Sequence, residues 1–351
     1  MTVPLQPLTQ EERHARFILE LLLDDPAGKG PALDGPDWPL LARLAQRHAV
    51  LVRVADRLVD LGVPVPPGFA AAAEWERDRA RATLDVLRLV QAACVRHRIA
   101  WMAPKVLQRY PDVGDDLDLL VFTSDVAIDR LLLEDVPVTC ERPSFANRLS
   151  GSTVYTVAGA MASGLVLDVH HGRVGPAGQH AAFARVLARN GQRHVLGGTE
   201  LCVPAPEDQL VLQGLEKVAG RRSFHLCDML QTIAILRRPR LDWERVLATA
   251  VAHGGWDGLS CYLHYVDEAH ARLVGRELLA VEQRRTLTLH GWGHATLREA
   301  GFQFPAVRVT GWLHGRQFGR SLGRAEWNTA LRLGLWPFAM MGTRLAQART
   351  W

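Results

Sequence analysis

Cysteine, lysine and long apolar runs are all scarce in this chain of 351 residues. The five cysteines, Cys94, Cys140, Cys202, Cys227 and Cys261, are scattered, and no two form a C-x-x-C pair. That spacing excludes a zinc knuckle and a small disulfide framework, and it fits a reducing, cytoplasmic setting. No uncharged apolar stretch reaches the roughly 18 residues that a membrane-spanning helix needs. Met1 to Arg16 is too polar and acidic for a signal peptide. Walker, G-x-G-x-x-G, G-x-S-x-G and H-E-x-x-H patterns are all missing, which removes the commonest nucleotide, hydrolase and zinc-peptidase signatures. The only lysines are Lys29, Lys105 and Lys217. Arginine supplies the rest of 41 basic residues, set against 37 acids for a net charge of +4. So mild a surplus favours a small partner over a nucleic-acid polymer. Between Gly301 and Trp351 arginine outweighs acid, with Glu326 the lone carboxylate. That tail could face RNA, a nucleotide or lipid headgroups, although a solvated arginine surface is the plainer account.

What is present reads as an ordinary globular chain, long enough for two or three domains. Thr9 and Glu12 have capping-box spacing ahead of Phe17, Leu19, Leu21, Leu22 and Leu23. Asp37 can cap a second helix, with Pro39 in its first turn and apolar residues at helical spacing from Leu40 to Leu61. A long amphipathic helix is expected from Phe69 to His97. The pattern then changes. Ile99–Met102, Leu117–Phe122, Val136–Cys140, Thr153–Val157 and Leu165–His170 read as strands, with a helical turn at Pro104–Tyr110 and a helix that Ser124 can cap. From Pro206 the helical period returns, while the last sixty or so residues carry no clear period. The expected class is α+β: a small mixed sheet (98–204) flanked by an N-terminal helical region (1–97) and a C-terminal helical domain (205–351).

Two acids interrupt the apolar strand Asp116-Leu117-Asp118-Leu119-Leu120-Val121. Alternate strand residues share a face, so Asp116 and Asp118 project side by side. Their charges repel unless a cation lies between them, and burial sharpens the conflict. A divalent metal, Mg2+ or Mn2+ with phosphate oxygens in its shell, answers it. Asp168 is a third acid inside an apolar strand, and convergence of all three would make a two-metal site for displacement at phosphorus. The plainer alternative for Asp168 is an edge-strand acid paired with an arginine. His170 and His171 are adjacent in a strand and face opposite ways, so at most one can point into such a site. Lys217, Arg221 and Arg222 follow the sheet and could hold phosphate, or could simply be a solvated helix face. His225 and Asp228, at i and i+3, read as a hydrogen-bonded pair lining the cleft. Gly151-Ser152 reads as a turn.

The segment Trp101-Met102-Ala103-Pro104-Lys105-Val106, Tyr110-Pro111-Asp112 and Asp116-Leu117-Asp118-Leu119-Leu120-Val121 resembles the bacterial family described as uncharacterised nucleotidyltransferases. Asp168-Val169-His170-His171, Pro206-Glu207-Asp208, His225-Leu226-Cys227-Asp228 and Asp242-Trp243 extend the resemblance over roughly Trp38 to Gly255. It implies a DNA polymerase β-like nucleotidyltransferase fold, the metal set Asp116, Asp118 and Asp168, and a phosphate contact from Lys105. Two departures stand out. Val106 replaces a glycine that would let backbone approach phosphate closely, and the stretch from Tyr110 to Asp116 is short and lacks an arginine often found there. The expectation is a magnesium-dependent enzyme that moves a nucleoside monophosphate from an NTP, such as ATP, to a hydroxyl-bearing small molecule or peptide. The alternative is a non-catalytic module on the same scaffold that binds RNA or a protein partner, and Val106 favours it.

Overall fold

The computed structural model describes residues 7–23, 35–114, 116–122, 125–158, 164–218, 223–288 and 292–348. Three short helices open it: α1 (Gln10–Leu22), α2 (Trp38–Arg47) and α3 (Leu51–Asp60). The Thr9–Glu12 capping box forms, and the Asp37 carboxylate accepts from the Leu40 N–H as expected. The long helix α4 (Pro67–His97) leads into the sheet region. That region runs β1 (Trp101–Met102), α5 (Val106–Arg109), β2 (Asp116–Val121), α6 (Asp125–Asp135), β3 (Val138–Cys140), α7 (Phe145–Ser150), β4 (Ser152–Val157) and β5 (Val166–His171). Helix α8 (Ala181–Asn190) and the ribbon β6 (Gln192–Leu196) and β7 (Thr199–Val203) close it. The C-terminal part contains α9 (Pro206–Glu216), β8 (Ser223–Phe224), α10 (Leu226–Leu236), α11 (Trp243–Ala252), α12 (Trp256–Val274), α13 (Val281–Thr286), β9 (Thr296–Arg298) and β10 (Gly301–Gln303). It ends with α14 (Ala306–Gly323) and α15 (Trp327–Ala348). The class is the expected one, a small mixed sheet with flanking helices.

The five-stranded sheet has the order β1-β2-β5-β4-β3. Only β2 and β5 are parallel to each other; the remaining pairs are antiparallel. Strand alternation separates its two faces. Leu117, Leu119 and Val121 of β2, with Leu167 and Val169 of β5, join Leu84, Leu87 and Val90 of α4 and Leu131 and Leu132 of α6 in one apolar cluster. The opposite face carries the acids.

A second, larger cluster unites Ile18, Leu44 and Val54 of the first three helices with Ile233 of α10 and Tyr265 of α12. The N-terminal and C-terminal helices thus share one core, while the second half of α4 belongs to the sheet.

The structure also corrects the single helix expected from Leu40 to Leu61. It breaks at His48, and Ala49 adopts a left-handed backbone, φ 50°. Tertiary demand explains the break. The His48 ring nitrogen Nδ1 accepts from the Leu226 N–H at 3.0 Å, and its carbonyl accepts from the Cys227 N–H at 3.3 Å. His48 thereby satisfies two of the free donors at the start of α10. Helix α3, which begins without a side-chain cap of its own, receives one from afar: Asp112 Oδ1 accepts from the Val52 N–H at 2.7 Å. The Arg53 guanidinium lies 3.1 Å from the same carboxylate. Asp112 thus ties the turn before β2 to the helical layer. Ser124 lies outside the described residues, so its expected cap on α6 does too. In the tail, α15 continues through Pro337 as one helix, and among the described residues no helix is long and apolar enough to cross a membrane.

Candidate metal centre

In the β2–β5 ladder Asp118 lies directly beside Asp168, and Leu120 beside His170. Parallel neighbours in register point the same way. Asp116, Asp118, Asp168 and His170 therefore share one face, joined by Ser152, which sits opposite His170 on β4. His171 turns to the other face and bonds Thr153 through Nε2 at 3.0 Å.

The ligand atoms that Asp118, Asp168 and His170 offer all lie within 4.8 Å of one another. His170 Nε2 is 3.5 Å from both Asp118 Oδ1 and Asp168 Oδ2. Asp168 Oδ1 is buried with no hydrogen-bond partner among the described residues. An orphaned buried acceptor costs about 1–3 kcal/mol, which a bound cation would remove. Burial pushes the Asp168 carboxyl above its ordinary range; His170 and Lys105 pull it down, while the charges of Asp118 and Asp116 push it further up. For His170 burial alone would lower the pKa. The hydrogen bond to Asp118 and the charges of Asp168 and Asp118 outweigh it and raise the imidazole above its usual value.

Two cationic side chains from the α5 region neutralise the β2 acids. Lys105 Nζ lies 2.8 Å from Asp118 Oδ1 and 3.1 Å from Glu216 Oε2 at the end of α9. Arg109 Nη1 lies 2.8 Å from Asp116 Oδ1. Gly114 makes room for this guanidinium, since a Cβ there would fall 1.7 Å from Arg109 Nη1. Arg109 thus supplies a guanidinium just ahead of the short turn that lacks one. All of these groups except Arg109 border an open cleft with about 930 Å3 of empty space, and Trp336 of α15 also lines it.

The cleft gathers four of the six expected site residues: Asp116, Asp118, Asp168 and Lys105. Arg222 lies outside the described residues, as does Arg221. Lys217 does not line the cleft. It turns inward, with Nζ 2.8 Å from Asp228 Oδ1 and both side chains almost fully buried. His225 is not a cleft residue either. Its backbone N–H donates to Asp228 Oδ2 at 2.8 Å, so this pair serves the start of α10. Gly151 is a turn residue, φ 72°, as expected, but Ser152 after it also lines the cleft.

The model of a family described as uncharacterised nucleotidyltransferase matches residues 34–270. The chain belongs to that family. The matched span runs from α2 into α12 and holds both acid-bearing strands. None of the curated proteins matches it. Arg109 and Glu216, which pair with Asp116 and Lys105, escaped the sequence reading, and His170 was left undecided against His171. The alternation that pairs Asp116 with Asp118 applies equally to Asp168 and His170 and would have found the histidine. Glu216 meets Lys105 only through the fold.

The donor set fits a divalent ion. Two carboxylates and one imidazole offer it oxygen and nitrogen donors.

Proposed function

We propose that the chain moves a nucleoside monophosphate from a nucleoside triphosphate to a hydroxyl group on a small molecule or peptide, with Mg2+ or Mn2+ as cofactor. The observation that carries this reading is the in-register pairing of Asp118 with Asp168, beside His170, on the wall of an open cleft. Asp118 and Asp168 would hold the ion through oxygen and His170 through Nε2. The ion, when bound, supplies Lewis acidity at phosphorus and eases loss of the acceptor's proton.

The remaining steps fall to the chain's own groups. The acceptor oxygen forms a bond to the α-phosphorus, the bond from that phosphorus to the bridging oxygen breaks, and pyrophosphate leaves. The hydroxyl proton passes to Asp168, whose carboxylate stands on the cleft wall beside Asp118 and His170. Lys105 stands as a point charge for the departing phosphates. Asp116 takes a lesser part, because Arg109 already neutralises it. The test is incubation with each α-labelled NTP, Mg2+ or Mn2+, and a panel of hydroxyl acceptors. Metal-dependent pyrophosphate release that Asp118→Asn removes from a folded protein is the expected result. No release with any NTP and acceptor would sink the proposal.

A second reading, a non-catalytic module, draws on Val106. Its side chain packs against the apolar cluster of the sheet, at the position where the resemblance usually calls for a glycine. On that reading RNA or a protein partner binds in a salt-sensitive way that ignores Asp118→Asn and Asp168→Asn.

A further inference from the structure

Lys105 occupies a position that a metal at Asp118 would contest. Its ammonium is 2.8 Å from Asp118 Oδ1, in a place where Lys105 is 11% exposed and Asp118 4%. So little water screens the group that a divalent ion on the same carboxylate and the ammonium beside it would repel strongly. The ammonium also has a second anchor, Glu216 Oε2 at 3.1 Å, on a different element from the acids of the sheet. Asp118 belongs to β2 and Glu216 to the end of α9, so the two carboxylates hold Lys105 from two sides.

We infer that Lys105 and Glu216 form a displaceable clamp: the ammonium holds the metal position at Asp118 until a triphosphate draws it off, so that divalent metal and nucleotide bind well only together. This rests on the reading of the cleft as a metal and triphosphate site, and it adds Glu216 as a positioning residue. Glu216 keeps the ammonium in the cleft once Asp118 is given to the metal, poised against the triphosphate. The uncharged protein side chains of an ordinary open site would not do this. A lone divalent ion meets the ammonium at Asp118, and a triphosphate that draws Lys105 off without bringing a metal faces the carboxylates of Asp118 and Asp168. Each ligand removes the obstacle to the other, which is a positive coupling between two sites.

The experiment measures Mn2+ affinity by electron paramagnetic resonance on the full chain, with and without a non-hydrolysable NTP. In the unmodified protein the nucleotide should tighten Mn2+ by about tenfold or more, within the span typical of coupled sites. Lys105→Gln should tighten Mn2+ alone by about tenfold and shrink the effect of nucleotide to less than about threefold. Glu216→Gln should act in the opposite sense and weaken Mn2+ alone by about threefold or more, because Lys105 then loses its Glu216 anchor and leans more heavily on Asp118. Circular-dichroism melts of both variants separate these shifts from misfolding. If Mn2+ binds the unmodified protein equally well with and without nucleotide, or if Lys105→Gln leaves its affinity unchanged, the clamp is wrong while the metal site stands. If no form binds Mn2+ under any condition, the metal site and the clamp fall together.

Discussion

Two lysine–aspartate pairs in this protein have the same N–O distance, 2.8 Å, and opposite characters. Lys105–Asp118 stands on the wall of an open cleft beside a histidine and a second aspartate. Lys217–Asp228 is sealed inside the helical core, 2% and 0% exposed. Its carboxylate is saturated: Gln108 donates to it from α5, the His225 N–H donates to it, and the Lys217 ammonium pulls the Asp228 carboxyl far below the ordinary range against the opposing effect of burial. The cleft pair is surrounded instead by unmet demand, with an orphaned oxygen on Asp168 and a carboxyl pKa pushed up. Distance alone does not separate a structural ion pair from an exchangeable one. What separates them is whether the surrounding groups are sealed and satisfied, as around Asp228, or open to the cleft beside an orphaned oxygen, as on Asp168.

The largest expected effect tests the sealed pair. Asp228→Ala leaves a buried ammonium without its partner and should cost about 3–5 kcal/mol in urea unfolding. Asp118→Asn is the counterpart in the cleft. It should lower nucleotidyl transfer by more than about a hundredfold, the upper end of what loss of an outer-shell partner costs, and shift the same unfolding curve by less than about 1 kcal/mol. If the two substitutions destabilise the fold alike, the distinction between the pairs collapses.

The sealed core also predicts a pH response. Burial, followed by the charge of His225, pushes the His48 imidazole down to about 3 from an ordinary value of 6.5. The unfolded chain therefore binds a proton that the folded one refuses, and stability rises with pH across that window. This contribution is complete above pH 6.5 and is lost as pH falls toward 3, at about 1.4 kcal/mol per pH unit. Urea unfolding at pH 7, 6, 5 and 4 should show a shallower slope for His48→Leu than for the unmodified protein. Within the cleft, Asp116→Asn should reduce transfer less than Asp118→Asn does, because Arg109 already neutralises Asp116. Equal losses would restore Asp116 to full rank among the metal ligands. The smallest effect belongs to an exposed pair, Arg16–Glu20, where Arg16→Ala should change stability by less than about 0.5 kcal/mol.

Much of this could be read from the chain itself. The apolar run broken by Asp116 and Asp118 marked a strand with one acidic face, and the capping residues Thr9 and Asp37 marked helix starts, because these signals are local. The ribbon of β6 and β7 went unassigned because Gln192, Arg193, His194 and Val195 are all exposed and show no buried alternation. Its one local cue was Gly197-Gly198, whose positive φ values of 54° and 79° suit a tight hairpin turn. The break at His48 could not be read, since the donors it satisfies belong to α10, far along the chain. The fate of Lys217 was equally hidden. A lysine on a helix reads as solvated until the fold places a carboxylate inside the core to meet it.

The β2–β5 ladder carries a consequence for how such a chain can change over generations. The turns 136–137 and 141–144, which join α6 to β3 and β3 to α7 between the two strands, can gain or lose length without disturbing the ladder. Inside either strand the tolerance vanishes, because a slip of one position turns every second side chain over. Leu117 or Leu119 would then face water, and an acid would be driven into the packing beneath α4. Insertions and deletions should therefore accumulate between the strands and stop at their edges, so that a length comparison among descendants would outline the cleft even where the residues themselves had drifted.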